Sequence, residues 1–168
     1  MLYYIIMAQY AALRRSDMEI ERKFLVRDIP DQVRQYPCRR IEQAYLCTQP
    51  VVRVRRYGEE FWLTCKGEGL LSREEFELPL SEEAYRHLLA KADGLVIEKD
   101  RYCIPFEGHT IELDVFDGSL APLVFAEVEF ATEEEALAFV KPDWFGRDVT
   151  WEPDYSNAAL SRQGAPKE

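Results

Sequence analysis

Charged residues recur at every second position along this chain, in pairs. In "EIERKF", Glu19, Glu21 and Lys23 alternate with Ile20, Arg22 and Phe24. Successive side chains of a strand point to opposite faces, so Glu19, Glu21 and Lys23 would share one face. The same spacing joins Arg53 to Arg55, Arg73 to Glu75 and Glu77, Lys99 to Arg101, Glu112 to Asp114, and Glu127 to Glu129. Lys66 ends its own stretch on the face of Trp62 and Thr64. The set holds eight acids and seven bases, with like charges clustered within single stretches. Such neighbours cost stability unless opposite charge lies between them.

Carboxylate clusters without His or Cys are the ligand set for hard divalent cations such as Mg²⁺ or Mn²⁺. Arg and Lys pairs suit a polyphosphate, Arg as a bidentate fork and Lys as a point charge. A metal-bridged polyphosphate would neutralise both sets at once. The chain has no G-x-x-x-x-G-K-[ST] loop, so side chains would have to hold the phosphates. Two architectures compete: a sheet with a solvated charged face, or a sheet closed with its charges inward around a hydrated tunnel. The chemistry favours the tunnel.

The elements that must position these residues read in order. Strands are expected over Met18–Val26, Arg40–Cys47, Val51–Tyr57, Glu60–Lys66, Leu71–Leu80, Val96–Pro105, Thr110–Asp117 and Leu123–Ala131. Asp28–Pro37 looks like a short helical connection. Ser81 caps a helix over Glu82–Ala92, and Thr132 with Glu135 has capping-box spacing for a second helix to about Val140. A short terminal helix is expected to begin near Asp154. Eight strands, mostly adjacent in sequence, predict an antiparallel α+β fold that can close as a barrel.

The 168 residues suffice for one domain with a real core. A net charge of −10 argues against a nucleic-acid binder, and no segment reads as membrane-spanning. The four cysteines lack C-x-x-C spacing, which argues against a zinc site, and Cys47, Cys65 and Cys103 read as small strand residues of a cytoplasmic protein. His87 and His109 read as surface or packing residues, and Trp62, Trp144 and Trp151 as packing. "MLYYIIMAQYAALRRSD" is apolar first and basic afterwards, the reverse of a signal peptide. Residues 1–17 are expected to be an extension without a functional part, residues 18–163 a single domain, and 164–168 a tail.

The quoted stretch fits the E-x-E-x-K signature of the CYTH superfamily, the triphosphate tunnel metalloenzymes. The segments "EQAYL", "VRVRR", "FWLTCKGEGLLSREEFEL", "EKDRY", "IELDVFDGSL", "AEVEF", "DWFGRDVT" and "YSNAAL" resemble the successive blocks of small bacterial members, in the same order. The likeness runs from Met18 to about Ser161. It implies an eight-stranded antiparallel barrel with a charged lumen, flanking helices and a C-terminal plug helix. It also implies metal-dependent hydrolysis of a triphosphate, and for these members inorganic tripolyphosphate split to pyrophosphate and phosphate.

Carried over residue by residue, the resemblance makes Glu19, Glu21, Glu127 and Glu129 metal ligands. Lys23, Arg53, Arg55, Lys66, Arg73, Lys99 and Arg101 become phosphate contacts, and Glu75, Glu77, Glu112 and Asp114 supporting acids of the wall. Tyr45 and Lys99 match a pair proposed to activate water. Ala44 replaces a glycine common in the "QGYL" block, which implies a small packing difference. Class IV adenylyl cyclase, thiamine triphosphatase and a non-catalytic polyphosphate-binding module stay open as alternatives. So does homodimerisation.

Overall fold

A computed structural model describes residues 16–166. Its strands are β1 (Ser16–Leu25), β2 (Cys38–Thr48), β3 (Val51–Tyr57), β4 (Glu60–Lys66), β5 (Ser72–Pro79), β6 (Asp93–Phe106), β7 (His109–Phe116) and β8 (Val124–Glu129). All neighbours are antiparallel, in the order β1-β5-β4-β3-β2-β6-β7-β8, and the sheet closes on itself. Closure depends on β1 being shared. Its first half, Ser16–Ile20, pairs with β5, and Glu21–Leu25 pairs with β8. A closed sheet leaves no edge strand to template aggregation.

The outer wall is apolar because each strand turns its uncharged positions outward. Ile20, Phe24, Ile111, Leu113, Ala126 and Val128 form one outer core. It is covered by α2 (Glu133–Ala138) and the ring cluster of Phe139 and Phe145. On the far side Ala44 and Val54 pack under Tyr85 of α1 (Glu82–Leu89). Ala44 is therefore a packing residue of the outer wall. A third cluster fills one end of the lumen. There Leu160 of α3 (Asn157–Gln163) and Tyr155 meet Ile97, Phe116 and Phe125, forming the apolar plug.

Boundaries shift for local reasons. β1 starts at Ser16 rather than Met18, because Ser16 and Asp17 pair with Phe76 and Glu75. The rest of the expected extension, residues 1–15, lies outside the described residues, as do 167–168. α1 stops at Leu89, and β6 begins already at Asp93. Gly94 permits this: its φ is 78°, and a Cβ there would meet the Ser161 carbonyl oxygen of α3 at 2.4 Å. α2 ends at Ala138, since Phe139 turns extended to reach the rings of Phe24, Phe130 and His109. The expected connection over 28–37 is a 3₁₀ turn at Asp31–Gln35. The four cysteines all lie in strands as free thiols. Among the described residues no helix is long and apolar enough to cross a membrane.

Candidate active site

The inward faces of all eight strands surround a cavity of about 1290 Å³. Strand alternation places the charged residues there, and register decides which of them meet. Glu19 lies opposite Arg73, Lys23 opposite Glu127, Lys66 opposite Glu75, and Arg101 opposite Asp114. The sixteen residues singled out from the sequence are thus gathered into one lumen, with Asp114 wholly buried in its wall.

Most of the bases are matched by acids. Lys66 Nζ lies 2.5 Å from Glu19 and 2.7 Å from Glu75, and Arg73 Nε donates to Glu19 at 2.8 Å. Burial opposes ionisation of Glu19, but Lys66 and Arg73 outweigh it and hold the carboxyl well below the usual range. Lys23 Nζ is 2.9 Å from Glu127. Burial of Glu127 is likewise overcome, here by Lys23, Lys99 and Arg101, so its carboxyl titrates low. Arg101 binds Asp114 through Nε and Nη2, both at 2.6 Å, and reaches Glu127 at 2.7 Å and Glu112 besides.

Three places are not balanced. Arg53 and Arg55 share the single carboxylate of Glu77, with Arg55 Nη2 at 3.1 Å and Arg53 Nη2 at 4.0 Å. The Nε atoms of both arginines are buried without a hydrogen-bond partner. Burial, then Arg53 and Arg101, lowers the Arg55 pKa to about 10, so one more positive charge is unwelcome there and an anion would be welcome. Across the lumen Glu129 lies opposite Glu21 in register. Its carboxylate has no hydrogen bond or ion pair among the described residues. Although Glu129 remains open to water at the mouth, the enclosing wall and then the carboxylates of Glu112, Glu19 and Glu21 raise its carboxyl to about 7. The third place is Lys99, 1% exposed, whose ammonium contacts Asp114. Burial and Arg101 together outweigh Asp114 and lower its pKa.

Glu129 yields a prediction. An acid whose folded pKa is raised from 4.5 to about 7 gives stability that is present below 4.5 and lost as pH rises through 7. In metal-free buffer Glu129→Gln should therefore equal the wild type near pH 4.5 and melt above it by pH 8. Added Mg²⁺ should raise the wild-type melting temperature more than the variant's. Parallel melting curves across that range would contradict the electrostatics.

The donor chemistry of Glu21 and Glu129 is oxygen only, with Arg73 shared between Glu21 and Glu19 and no base on Glu129 among the described residues, and it fits a hard divalent cation. Among the described residues no three His, Cys, Asp or Glu groups already converge as a metal cluster. Glu19 and Glu127 lean instead on their basic partners. Tyr45 and Lys99 both reach the lumen, but no hydrogen bond joins them among the described residues. The Tyr45 hydroxyl accepts from Gln43 Nε2 at 3.2 Å, and its pKa is raised by burial against the pull of Arg53, Lys23 and Arg73.

Sequence reasoning gave no role to Gln43, Thr64 and Thr150. Thr64 is fully buried between Arg53 and Glu77, and Thr150 accepts from the Lys23 amide at 3.0 Å. Alternation already set Thr64 on the face of Lys66, without a role, and could have found Gln43 the same way, on the face of Tyr45. Trp62, expected as packing, lines the lumen beside Tyr57 and Pro79. Trp144 does pack, edge-on to Phe145, while Trp151 is exposed.

A CYTH domain model matches residues 17–152. An inorganic triphosphatase of Nitrosomonas europaea is 43% identical over 149 residues, covering 85% of this chain and 96% of that protein. An inorganic triphosphatase of Acetivibrio thermocellus is 39% identical over 148 residues, covering 84% and 92%. The crystal structure of an inorganic triphosphatase superposes with a TM-score of 0.67 at 38% identity, covering 88% of this chain and 97% of that one.

Proposed function

Because the chain belongs to the CYTH domain family, we propose that it hydrolyses inorganic tripolyphosphate to pyrophosphate and phosphate within its barrel, aided by a divalent cation, Mg²⁺ or Mn²⁺. The observation that carries this reading is the split of unbalanced charge across one cavity. Arg53 and Arg55 share one acid on one wall. On the other, among the described residues, Glu129 has no base and lies opposite Glu21, whose one ion pair, at 3.3 Å, is with an Arg73 that Glu19 also engages. A polyphosphate with its cation supplies what each wall wants.

We assign Glu21 and Glu129 to hold the cation, with Glu19 and Glu127 beside them. When bound, it would offset charge on the phosphate oxygens. Arg53 and Arg55 grip one part of the chain, and Lys23, Lys66, Arg73 and Arg101 the rest. As negative charge grows on the transferred and leaving groups, these fixed cations stabilise it without reorganising. Lys99 is the proton acceptor for the attacking water, since burial favours its neutral amine. Tyr45 has a separate task. Its raised pKa keeps it a phenol, and with Gln43 donating to its oxygen, its own proton is free for a phosphate oxygen. Glu75, Glu77, Glu112 and Asp114 hold the bases in place.

The test is incubation with Mg²⁺ and, in separate reactions, tripolyphosphate, ATP or thiamine triphosphate, followed by identification of products. Pyrophosphate and phosphate from tripolyphosphate are expected. Cyclic AMP from ATP, or turnover of thiamine triphosphate alone, would replace the proposal.

A further inference from the structure

We infer that Thr64 is a positioning residue, whose hydroxyl sets the Arg53–Arg55 pair as a preformed fork for a phosphate group. The inference rests on the triphosphatase reading and deepens it by naming what builds its anion grip.

Thr64 sits on β4 directly opposite Arg53 on β3 and Glu77 on β5, so its side chain joins two strand pairings. It is fully buried, and its hydroxyl makes two contacts of 3.1 Å. Arg53 Nη2 donates to the oxygen, and the hydroxyl donates to Glu77 Oε1. Its one proton therefore has a fixed direction. Arg53, as a guanidinium, can only donate, and the Glu77 carboxylate can only accept. The same Glu77 oxygen accepts from Arg55 Nη2 at 3.1 Å. The result is a chain, Arg53 to Thr64 to Glu77 to Arg55, that fixes the outer nitrogens of two like-charged neighbours.

Every other lumen base takes a carboxylate directly: Lys23 from Glu127, Lys66 from Glu19 and Glu75, Arg73 from Glu19 and Glu21, Lys99 and Arg101 from Asp114. Arg53 alone reaches its acid mainly through a neutral hydroxyl. A carboxylate in place of Thr64 would cancel the positive charge the site must keep. A hydroxyl orients Arg53 and leaves the charge available. Both arginines line the cavity, where a phosphate group would meet them.

The test compares wild type, Thr64→Val and Thr64→Ser. Valine keeps the shape and removes the hydroxyl, and serine restores the hydroxyl. Tripolyphosphate binding is measured by calorimetry in EDTA, and KM and kcat separately with Mg²⁺. Thr64→Val is expected to weaken binding and raise KM by roughly tenfold or more, as for loss of a hydrogen bond to a charged group. Its kcat should change far less, and Thr64→Ser should restore most of the binding. A general folding defect would lower the active fraction and kcat rather than KM. Equal binding by wild type and Thr64→Val, or a Thr64→Ser protein as weak as Thr64→Val, would overturn the positioning role alone. Failure of the wild type to turn over tripolyphosphate with Mg²⁺ would overturn the triphosphatase reading, and this inference with it.

Discussion

Lys99→Ala should lower kcat for tripolyphosphate by about 10²–10⁴-fold, the usual contribution of a general base, and leave KM within severalfold. The lumen holds six other bases to bind substrate, so the loss should fall on the chemical step. The fold should survive the change, because Asp114 keeps two hydrogen bonds from Arg101 when the ammonium is gone. The pH profile separates base from bystander. Burial and Arg101 lower the Lys99 pKa, and a base works only when unprotonated. Wild-type kcat should accordingly rise as pH rises through that pKa, and the rising limb should vanish in the variant.

Lys99→Arg sharpens the test. A guanidinium stays protonated at any accessible pH and cannot take a proton from water. If Lys99 serves only as a positive charge, arginine should preserve much of the rate. A Lys99→Arg protein that melts like wild type and turns over at a comparable rate would remove Lys99 as base and leave it a phosphate contact.

The lumen was legible in the sequence because period-two alternation is a local property. Glu19, Glu21 and Lys23 point the same way whatever they pair with, and so do Arg53 and Arg55. The partners were not legible. That Glu129 faces Glu21, and that Glu19 faces Arg73, follows from β1 pairing with β5 in one half and β8 in the other. That division is set by closure of the whole barrel, and no six-residue window carries it. The register shifts of β2 between Gln43 and Cys47 went unread for a related reason. Bulges are often flagged by glycine, and this one has Ala44, whose small side chain packs beneath Tyr85. Thr64 was placed on the inward face but given no role, because a neutral residue among charges reads as filler until its two neighbours are known. Tyr45 and Lys99, which the family likeness matches to a water-activating pair, have separate hydrogen-bond partners, Gln43 and Asp114.

Asp114→Ala should cost about 3–5 kcal/mol of unfolding free energy, the range for breaking a buried ion pair from one side. Asp114 is wholly buried and accepts from Lys99 and twice from Arg101. Arg101 would keep Glu112 and Glu127, whereas among the described residues Lys99 has no second carboxylate in direct contact. The loss should therefore come mainly from a buried ammonium left alone, and pH gives the sign. A lysine whose folded pKa lies below its unfolded value destabilises the fold while both states are charged, and the penalty fades as pH rises and the buried amine sheds its proton. Removing Asp114 lowers that pKa further, since Asp114 is what raises it. Urea denaturation should accordingly show the largest loss at low pH and a partial recovery toward pH 9. Adding Lys99→Met to Asp114→Ala should restore stability instead of compounding the damage, because the uncompensated charge is then gone. A loss under about 1 kcal/mol, or strictly additive single and double variants, would mean that water reaches this wall and that Lys99 is not held in the low-polarity site its role as a base requires.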